Sequence, residues 1–252
     1  MKKLNPNQIV RYVETNISTF HHKRLLSLSH LKLDKVLRRK NPYLFRAKNV
    51  MTAQDLVKTL MDAHLSSQEE TVFGDLLEGF AIYVSERIYN GFKSTFKSID
   101  LEFEKEDTYY IVGIKSGPNW GNSDQISQMR TSFKEAKNKL RNRGIEKEII
   151  AVNGCIYGKD SNHFKRHNDT EKAYYKYCGQ DFWNFISADD DLYREIIVPI
   201  DKEAKQKDEA FKTAYVGKLN EMTKEFMNNF MTDNQIDWMK LIDFVSKRKE
   251  KY

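Results

Sequence analysis

Two consecutive strands joined by a tight, charged turn constrain this chain more than any other feature. Over 97–104, three apolar residues alternate with three acidic residues, which is the pattern of a half-buried strand. A second strand is expected over 109–115, and the turn is centred between Glu106 and Asp107. The sequence therefore predicts a β-hairpin at this point.

Helices and a further strand surround the hairpin. Apolar residues at helical spacing over 126–140 predict an amphipathic helix, and a strand is expected over 148–153. Before the hairpin, Ser67 is expected to open a helix over 68–88, with Glu70 completing a capping box. The helix–strand–strand–helix–strand order predicts an α/β fold with a central mixed β-sheet flanked by helices.

Both ends of the chain are predicted to be helical. Residues 6–37 show helical spacing, and a basic segment from Lys35 to Lys40 precedes the helix break at Asn41-Pro42. Thr52 is expected to cap a separate helix, and a long helix is expected over 203–231. No repeat or flexible linker is visible. The prediction is a single domain over 1–252, with helical extensions at 1–40 and 203–252 and a basic tail.

Composition excludes several classes of protein. The 42 Lys and Arg residues barely exceed the 36 Asp and Glu residues, so a polyanionic partner is favoured only mildly. Cys155 and Cys178 stand in no CxxC context, which argues against zinc and favours a reducing compartment. The start of the chain lacks the apolar run of a signal peptide, and no membrane-spanning stretch is visible. We expect a soluble, cytoplasmic protein.

The hairpin brings an acid and a lysine together. With the turn between positions 106 and 107, Asp100 lies opposite Gly113. Side chains alternate along a strand, so Lys115 shares the face of position 113, and the apolar residues at 110, 112 and 114 share the other. Carboxylates are ligands for Mg²⁺, and a lysine beside the cation stabilises charge on a phosphate. The arrangement is typical of magnesium-dependent phosphodiester hydrolysis.

The residues around this pair resemble the PD-(D/E)xK nuclease superfamily. Within it, the chain is most similar to type II restriction endonucleases that cut interrupted GGNCC-like sites. The resemblance covers most of residues 40–200, and the extended run that begins at Lys115 is its most specific part. It rests on KNPYLFRAKN (40–49), EETVFGDLLEGFAIYV (69–84), IKSGPNWGNSDQ (114–125), GQDFWNFIS (179–187) and LYREIIVPI (192–200).

The chain departs from the superfamily motif at two positions. Ile99 replaces the proline, a common change. Gly113 stands where the motif has Glu or Asp, and a glycine has no side chain that could bind a metal. Three interpretations stay open: the missing carboxylate comes from elsewhere, the chain is an inactivated variant, or it is a weak enzyme.

A relocated carboxylate would come from the helix over 68–88. Gly74-x-x-x-Glu78 resembles the GxxxE pattern on the first helix of related nucleases. We therefore expect Asp100, Lys115 and Glu78 as catalytic residues, and Asp100, Glu78 and Glu70 as metal ligands. Glu70 has its capping role as the alternative, and Glu78 could simply be a solvated helix residue. Glu102 and Glu135 rank lower.

The candidate DNA contacts are polar and basic residues in loops. After Lys115, polar side chains and the start of the helix at Ser123 could bind phosphate or catalytic water, although a plain surface loop is the alternative. Basic residues in two further loops could contact phosphates or bases. The predicted contacts are Ser116, Asn119, Asn122, Ser123, Gln125, Lys159, His163, Lys165, Arg46 and Lys48.

The resemblance implies the fold and the function together. It predicts a restriction-endonuclease-like core and Mg²⁺-dependent hydrolysis of double-stranded DNA at a short, near-palindromic site. Mn²⁺ is expected to replace Mg²⁺, and Ca²⁺ to support binding only. Such sites imply a two-fold homodimer, and the helical extensions are expected to form its interface. A cognate DNA methyltransferase is expected as a genetic rather than a physical partner. The alternative is a nuclease-fold protein that binds DNA specifically without cutting it.

Overall fold

The computed structural model describes residues 4–248, except for the side chains of residues 201–207. These residues form two compact units. The first contains the described residues of Met1–Ile17 together with Gly74–Glu203, and the second contains Ser18–Phe73 with the described residues of Ala204–Tyr252. The predicted single domain stays a prediction. The first three residues of the chain and the end of the predicted basic tail lie outside the described residues.

Helices begin and end the described part of the chain. The long helices α1, α4 and α8 each contribute residues to both units. The helices are α1 (Pro6–Ser29), α2 (Leu33–Leu37), α3 (Pro42–Ala47), α4 (Ala53–Tyr89), α5 (Ser123–Asn142), α6 (Gln180–Ser187), α7 (Leu192–Glu195), α8 (Ile197–Phe230) and α9 (Trp238–Ser246), with a 3₁₀ turn at Thr170–Lys172.

A six-stranded mixed sheet is the centre of the first unit. Its strands are β1 (Phe92–Lys93), β2 (Leu101–Lys105), β3 (Thr108–Lys115), β4 (Glu148–Cys155), β5 (Phe164–Lys165) and β6 (Tyr174–Cys178). The order across the sheet is β1-β2-β3-β4-β6-β5. The strands β2 and β3 pair antiparallel, whereas β3 with β4 and β4 with β6 pair parallel. The predicted mixed sheet is confirmed.

Helices cover both faces of this sheet. Neighbouring strand residues point to opposite faces, so Ile111 packs with Phe133 of α5, while Val112 packs with Phe80 of α4 and Phe182 of α6. All five side chains are buried. Burying one large apolar side chain contributes about 1.5–3 kcal/mol to the stability of the fold. The α/β fold with flanking helices is therefore confirmed, together with helical segments at both ends.

The boundary predicted at Ser67 is wrong. One helix, α4, runs from Ala53 to Tyr89 without interruption. The Thr71 hydroxyl donates to the Ser67 carbonyl at 3.0 Å, which places Ser67 inside the helix rather than at its cap. No glycine or proline occurs between Ala53 and Phe73, so nothing in the sequence breaks the helix there. Glu70 therefore does not complete a capping box.

Three other element boundaries shifted from the prediction. The helix predicted over 6–37 is broken after Ser29 and resumes as α2. The strand predicted from 97 begins only at Leu101, because Ser98 adopts a left-handed conformation with φ of 61°. The helix predicted from 203 begins at Ile197.

The second unit has its own apolar core. Leu56, Leu60 and Met61 of α4 pack with Met222 and Phe226 of α8. These five side chains are almost completely buried. A short antiparallel ribbon, β7 (Met231–Thr232) and β8 (Gln235–Ile236), joins α8 to α9.

Neither cysteine forms a disulfide, and no transmembrane helix is found in the described part of the chain. Cys155 and Cys178 are free and buried, on neighbouring strands of the sheet. Burial raises the pKa of the Cys155 thiol to about 12, so it stays protonated at neutral pH. Among residues 4–248, none of the helices has both the length and the apolar character that crossing a bilayer requires.

Candidate active site

The β2–β3 hairpin has the register that the sequence predicts. Lys105 pairs with Thr108, so the turn lies at Glu106 and Asp107. Leu101 pairs with Val112, and the Asp100 N–H donates to the Val112 carbonyl at 2.8 Å. Continuing this register by one position sets Asp100 opposite Gly113.

Asp100 and Lys115 meet at the end of the hairpin. The Asp100 Oδ2 accepts a hydrogen bond from the Ile114 N–H at 2.6 Å and lies 3.8 Å from the Lys115 Nζ. The ammonium group also donates to the Ile114 carbonyl at 2.8 Å. Both side chains are partly exposed, at 20% for Asp100 and 30% for Lys115. An acid and a cation thus lie side by side where solvent and a ligand can reach them.

Gly113 lies where the protein's own backbone approaches closely. A Cβ added at this position would lie 3.0 Å from the Ser98 carbonyl oxygen and 3.6 Å from a ring carbon of Phe133. The carbonyl is held there by the turn that precedes β2, in which Ser98 is left-handed. The place where a carboxylate side chain would begin is therefore tightly limited by backbone and by α5.

Helix α4 brings Glu78 into electrostatic reach of the pair. A Cβ added at Gly74 would lie 3.2 Å from the Ser116 Oγ, so the helix passes close to the residue after Lys115. Glu78 lies one helical turn later, half-buried, with its Oε1 3.6 Å from the Lys93 Nζ. Burial raises the pKa of Glu78, and the charge of Asp100 raises it further, while Lys93 and Lys115 oppose the shift. Glu70 is exposed and belongs to the second unit. Its role as a metal ligand stays a prediction.

Two carboxylates of the site have the chemistry that a hard divalent cation requires. Asp100 and Glu78 supply the oxygen donors that Mg²⁺ prefers. Burial raises the pKa of Glu78 most, and the charge of Asp100 adds to this shift; a cation held between the two carboxylates would relieve that repulsion. Among the side chains that the structure describes, there is no group of three or more His, Cys, Asp or Glu residues that would bind a metal.

The lower-ranked carboxylate Glu102 has another partner. Its side chain is buried and accepts a hydrogen bond from the Tyr109 hydroxyl at 2.7 Å. Burial and the bond to Glu102 raise the pKa of the Tyr109 hydroxyl. Glu102 therefore stabilises the hairpin and does not reach toward Asp100.

Asn153 is a site residue that the sequence did not reveal. It is 1% exposed and pairs with Gly113 across the parallel strands β3 and β4. Its Nδ2 donates to the Gly113 carbonyl at 3.1 Å, and its Oδ1 accepts from the Trp120 Nε1 at 3.0 Å. The Lys115 ammonium lies 5.5 Å from the centre of the Trp120 ring. Asn153 thus holds the indole against which the lysine rests, and a lone amide inside the apolar strand Glu148–Cys155 was its only signal in the sequence.

The predicted polar contacts after Lys115 lie at the start of α5. Asn122 caps the helix through two reciprocal hydrogen bonds, each of 3.0 Å. The Gln125 N–H donates to the Asn122 Oδ1, and the Asn122 N–H donates to the Gln125 Oε1. Ser123 is the first helical residue, and Asn119 is exposed in the preceding loop. The exposed helix end presents N–H groups and a partial positive charge, which attract anions. Contact of these residues and of Ser116 with DNA stays a prediction.

The predicted basic contacts have different surroundings. Lys165 binds Asp160 at 2.9 Å, and Lys176 binds the same carboxylate at 3.2 Å, which lowers the pKa of Asp160 to about 2. His163 lies 3.2 Å from Asp181, and with the exposed Lys159 it lines a cavity of about 720 Å³. In the second unit, the two remaining candidates, Arg46 and Lys48, are exposed at the end of α3.

These features define the class of protein. A mixed sheet with helices on both faces, and an acid and a lysine at the open end of its hairpin, is a restriction-endonuclease-like core. The model of the family described as type II restriction endonuclease EcoO109I matches residues 7–208, which is more than half of the chain. The chain belongs to this family, and the predicted relationship to type II restriction endonucleases is confirmed. No curated protein matches the chain.

Proposed function

We propose that this protein is a type II restriction endonuclease that hydrolyses double-stranded DNA with Mg²⁺ at a short, near-palindromic site. Membership in the family supports a nuclease that acts on DNA. The observation that carries the proposal is the 3.8 Å approach of Lys115 to Asp100 at the end of the hairpin. A partly exposed acid–lysine pair, with a second carboxylate in electrostatic contact, is suited to phosphodiester hydrolysis.

Each residue of the site has a distinct task. Asp100 and Glu78 would hold the cation, which supplies a Lewis acid that activates water and offsets negative charge. The bond from the Ile114 N–H fixes the Asp100 carboxylate in one orientation. Lys115 stabilises negative charge on the phosphate, and the Ile114 carbonyl together with the Trp120 ring fixes its ammonium group. Gly113 contributes no ligand, and Glu78 takes over the missing carboxylate.

The remaining features of the proposal concern DNA and partners. The N-terminus of α5 and the loop before it would receive a phosphate. Resemblance in sequence suggests a GGNCC-like site, Mn²⁺ as a substitute metal and Ca²⁺ as a metal for binding alone. A near-palindromic site implies a homodimer formed through the helical ends of the chain. A methyltransferase as genetic partner and a cytoplasmic location complete the proposal.

Plasmid cleavage with Mg²⁺ and with Mn²⁺ tests the proposal. Asp100→Ala and Lys115→Ala should each lower the cleavage rate at least about 100-fold, because the first removes a ligand of the cation and the second removes the positive charge that stabilises the reacting phosphate. The matched controls are Asp107→Ala in the exposed turn and Lys97→Ala on the exposed segment before β2, which should cut like the wild type. Specific DNA binding without cleavage in either metal would reject the enzyme. That result would favour the DNA-binding alternative, which the missing side chain at Gly113 supports.

Glu78→Gln tests the relocated ligand separately. The variant should lose cutting but keep binding in Ca²⁺, because the amide retains the shape of the side chain and loses its charge. Glu86→Gln, an exposed position on the same helix, is the control. A Glu78→Gln protein that cuts at the wild-type rate would show that Glu78 is not the second carboxylate.

A further inference from the structure

A concave, cationic surface on the second unit has no role in the proposed chemistry. The end of α1, the segment around α2 and the first part of α4 line it, and it encloses about 560 Å³. We call it the basic groove and define it by Lys23, Lys32, Lys35, Arg39 and Lys40. It contains most of the basic segment that the sequence shows from Lys35 to Lys40.

The charge of the basic groove is not balanced by acids. Among the described residues that line it, none is Asp or Glu, and none of its five cations forms an ion pair with any side chain that the structure describes. Other cations of the same unit are paired: Arg24 binds Glu69, and Lys58 binds Asp62 at 2.5 Å. Clustered like charges repel one another, so an arrangement of this kind is stabilised by an anionic ligand.

Two histidines extend the polar lining of the basic groove. His30 and His64 both face it. Burial lowers the pKa of His64, and the positive charges of Arg39 and Lys40 lower it further. His64 therefore lies within the electrostatic influence of Arg39 and Lys40.

The spacing of the cations suits a regularly charged polymer. Lys32, Lys35 and Arg39 recur every three or four residues along α2 and its flanking turns, and all three are exposed. All three line the basic groove, so their charges are gathered on one surface. Duplex DNA carries one negative charge for about every 1.7 Å of its axis, so a row of cations can contact several phosphates at once.

We propose that the basic groove binds the phosphate backbone of duplex DNA. The inference rests on the proposed function, since it assumes DNA as the substrate, and it adds a contact surface that lies in a different unit from Asp100 and Lys115. Phosphate contacts carry no sequence information, so the groove contributes affinity and orientation rather than recognition of bases.

The salt dependence of DNA binding tests this proposal without any metal. Fluorescence anisotropy with a short duplex in EDTA compares the wild type with a triple variant, Lys32→Gln, Lys35→Gln and Arg39→Gln. Three lost phosphate contacts should reduce the slope of log affinity against log salt by about 2.7. Between about 50 and about 200 mM salt, the wild type should therefore lose about 40-fold more affinity than the variant. The control variant carries Lys58→Gln, Lys212→Gln and Lys224→Gln, which remove the same charge from exposed positions of the same unit.

Equal slopes for the groove variant and the wild type would overturn the proposal, as would an equal change in the control. A second measurement uses the unmodified protein: acetylation of lysines, followed by mass spectrometry. Duplex DNA should protect Lys23, Lys32 and Lys35 and leave Lys58 and Lys212 reactive. Protection by polyglutamate but not by DNA would overturn the assignment in favour of an acidic peptide.

Failure of the groove and failure of the proposed function give different results. A wild type that cuts plasmid while DNA leaves the groove lysines reactive would reject the groove alone. A wild type that neither binds nor cuts DNA would reject both.

Discussion

Replacing Gly113 with alanine tests why the motif carboxylate is missing. In an unhindered position, the change from glycine to alanine stabilises a protein by about 0.4–1 kcal/mol, because it restricts the unfolded chain. At position 113, however, the new Cβ would lie 3.0 Å from the Ser98 carbonyl oxygen, closer than such atoms ordinarily approach. We therefore expect the packing cost to exceed the entropic gain.

The magnitude follows from these two opposing contributions. Forcing an extra carbon into a well-packed site costs about 1–3 kcal/mol. Subtracting the gain leaves a net destabilisation of about 0.5–2 kcal/mol. For a chain of this size, each kcal/mol shifts Tm by about 2–4 °C, so Tm should fall by about 1–8 °C. The Tm of Gly113→Asp should fall further, since this variant adds a charged carboxylate beside the apolar Phe133 ring.

Thermal and denaturant unfolding of matched variants measures the effect. Gly217 lies on α8 with nothing within 4 Å of an added Cβ, so Gly217→Ala should stabilise by up to about 1 kcal/mol. The two alanine variants should thus shift stability in opposite directions. A Gly113→Ala protein as stable as Gly217→Ala would refute the reasoning from the Ser98 carbonyl. A Gly113→Asp protein that cuts DNA faster than the wild type would refute the relocated ligand and support an inactivated variant.

Two further predictions concern stability within the first unit. The ion pairs with Lys165 and Lys176 lower the pKa of Asp160 from its ordinary value of 3.8 to about 2 in the folded protein. They therefore stabilise the fold above about pH 4, and this stabilisation is lost as the pH falls toward 2. Asp160→Asn should accordingly be less stable than the wild type at pH 7 by urea unfolding and equal to it near pH 2; a difference that does not change with pH would contradict this. Trp120→Phe keeps a ring near the lysine but removes the indole N–H that binds Asn153, so it should cost about 1 kcal/mol, whereas wild-type stability would show that this bond contributes nothing.

Local patterns were sufficient for the hairpin and for its acid and lysine. Alternation of apolar and charged residues, with a turn at Glu106 and Asp107, predicts both the register and the approach of Asp100 to Lys115. Each of these signals acts over a few residues, which is why it can be read without the fold. The boundary at Ser67 failed for a related reason: a serine followed by a glutamate predicts a cap, but the apolar face of α4 continues through it and packing decides in favour of one helix.

By itself, the sequence determined the α/β class, the hairpin that carries Asp100 and Lys115, and the family of the protein. Only the tertiary structure decided what surrounds them. It brought the Ser98 carbonyl against Gly113, placed Asn153 behind Trp120, and brought α4 close enough for Glu78 to interact with Asp100. These contacts join residues that are far apart in the chain, and their distances depend on how helices pack on the sheet, which no short pattern encodes.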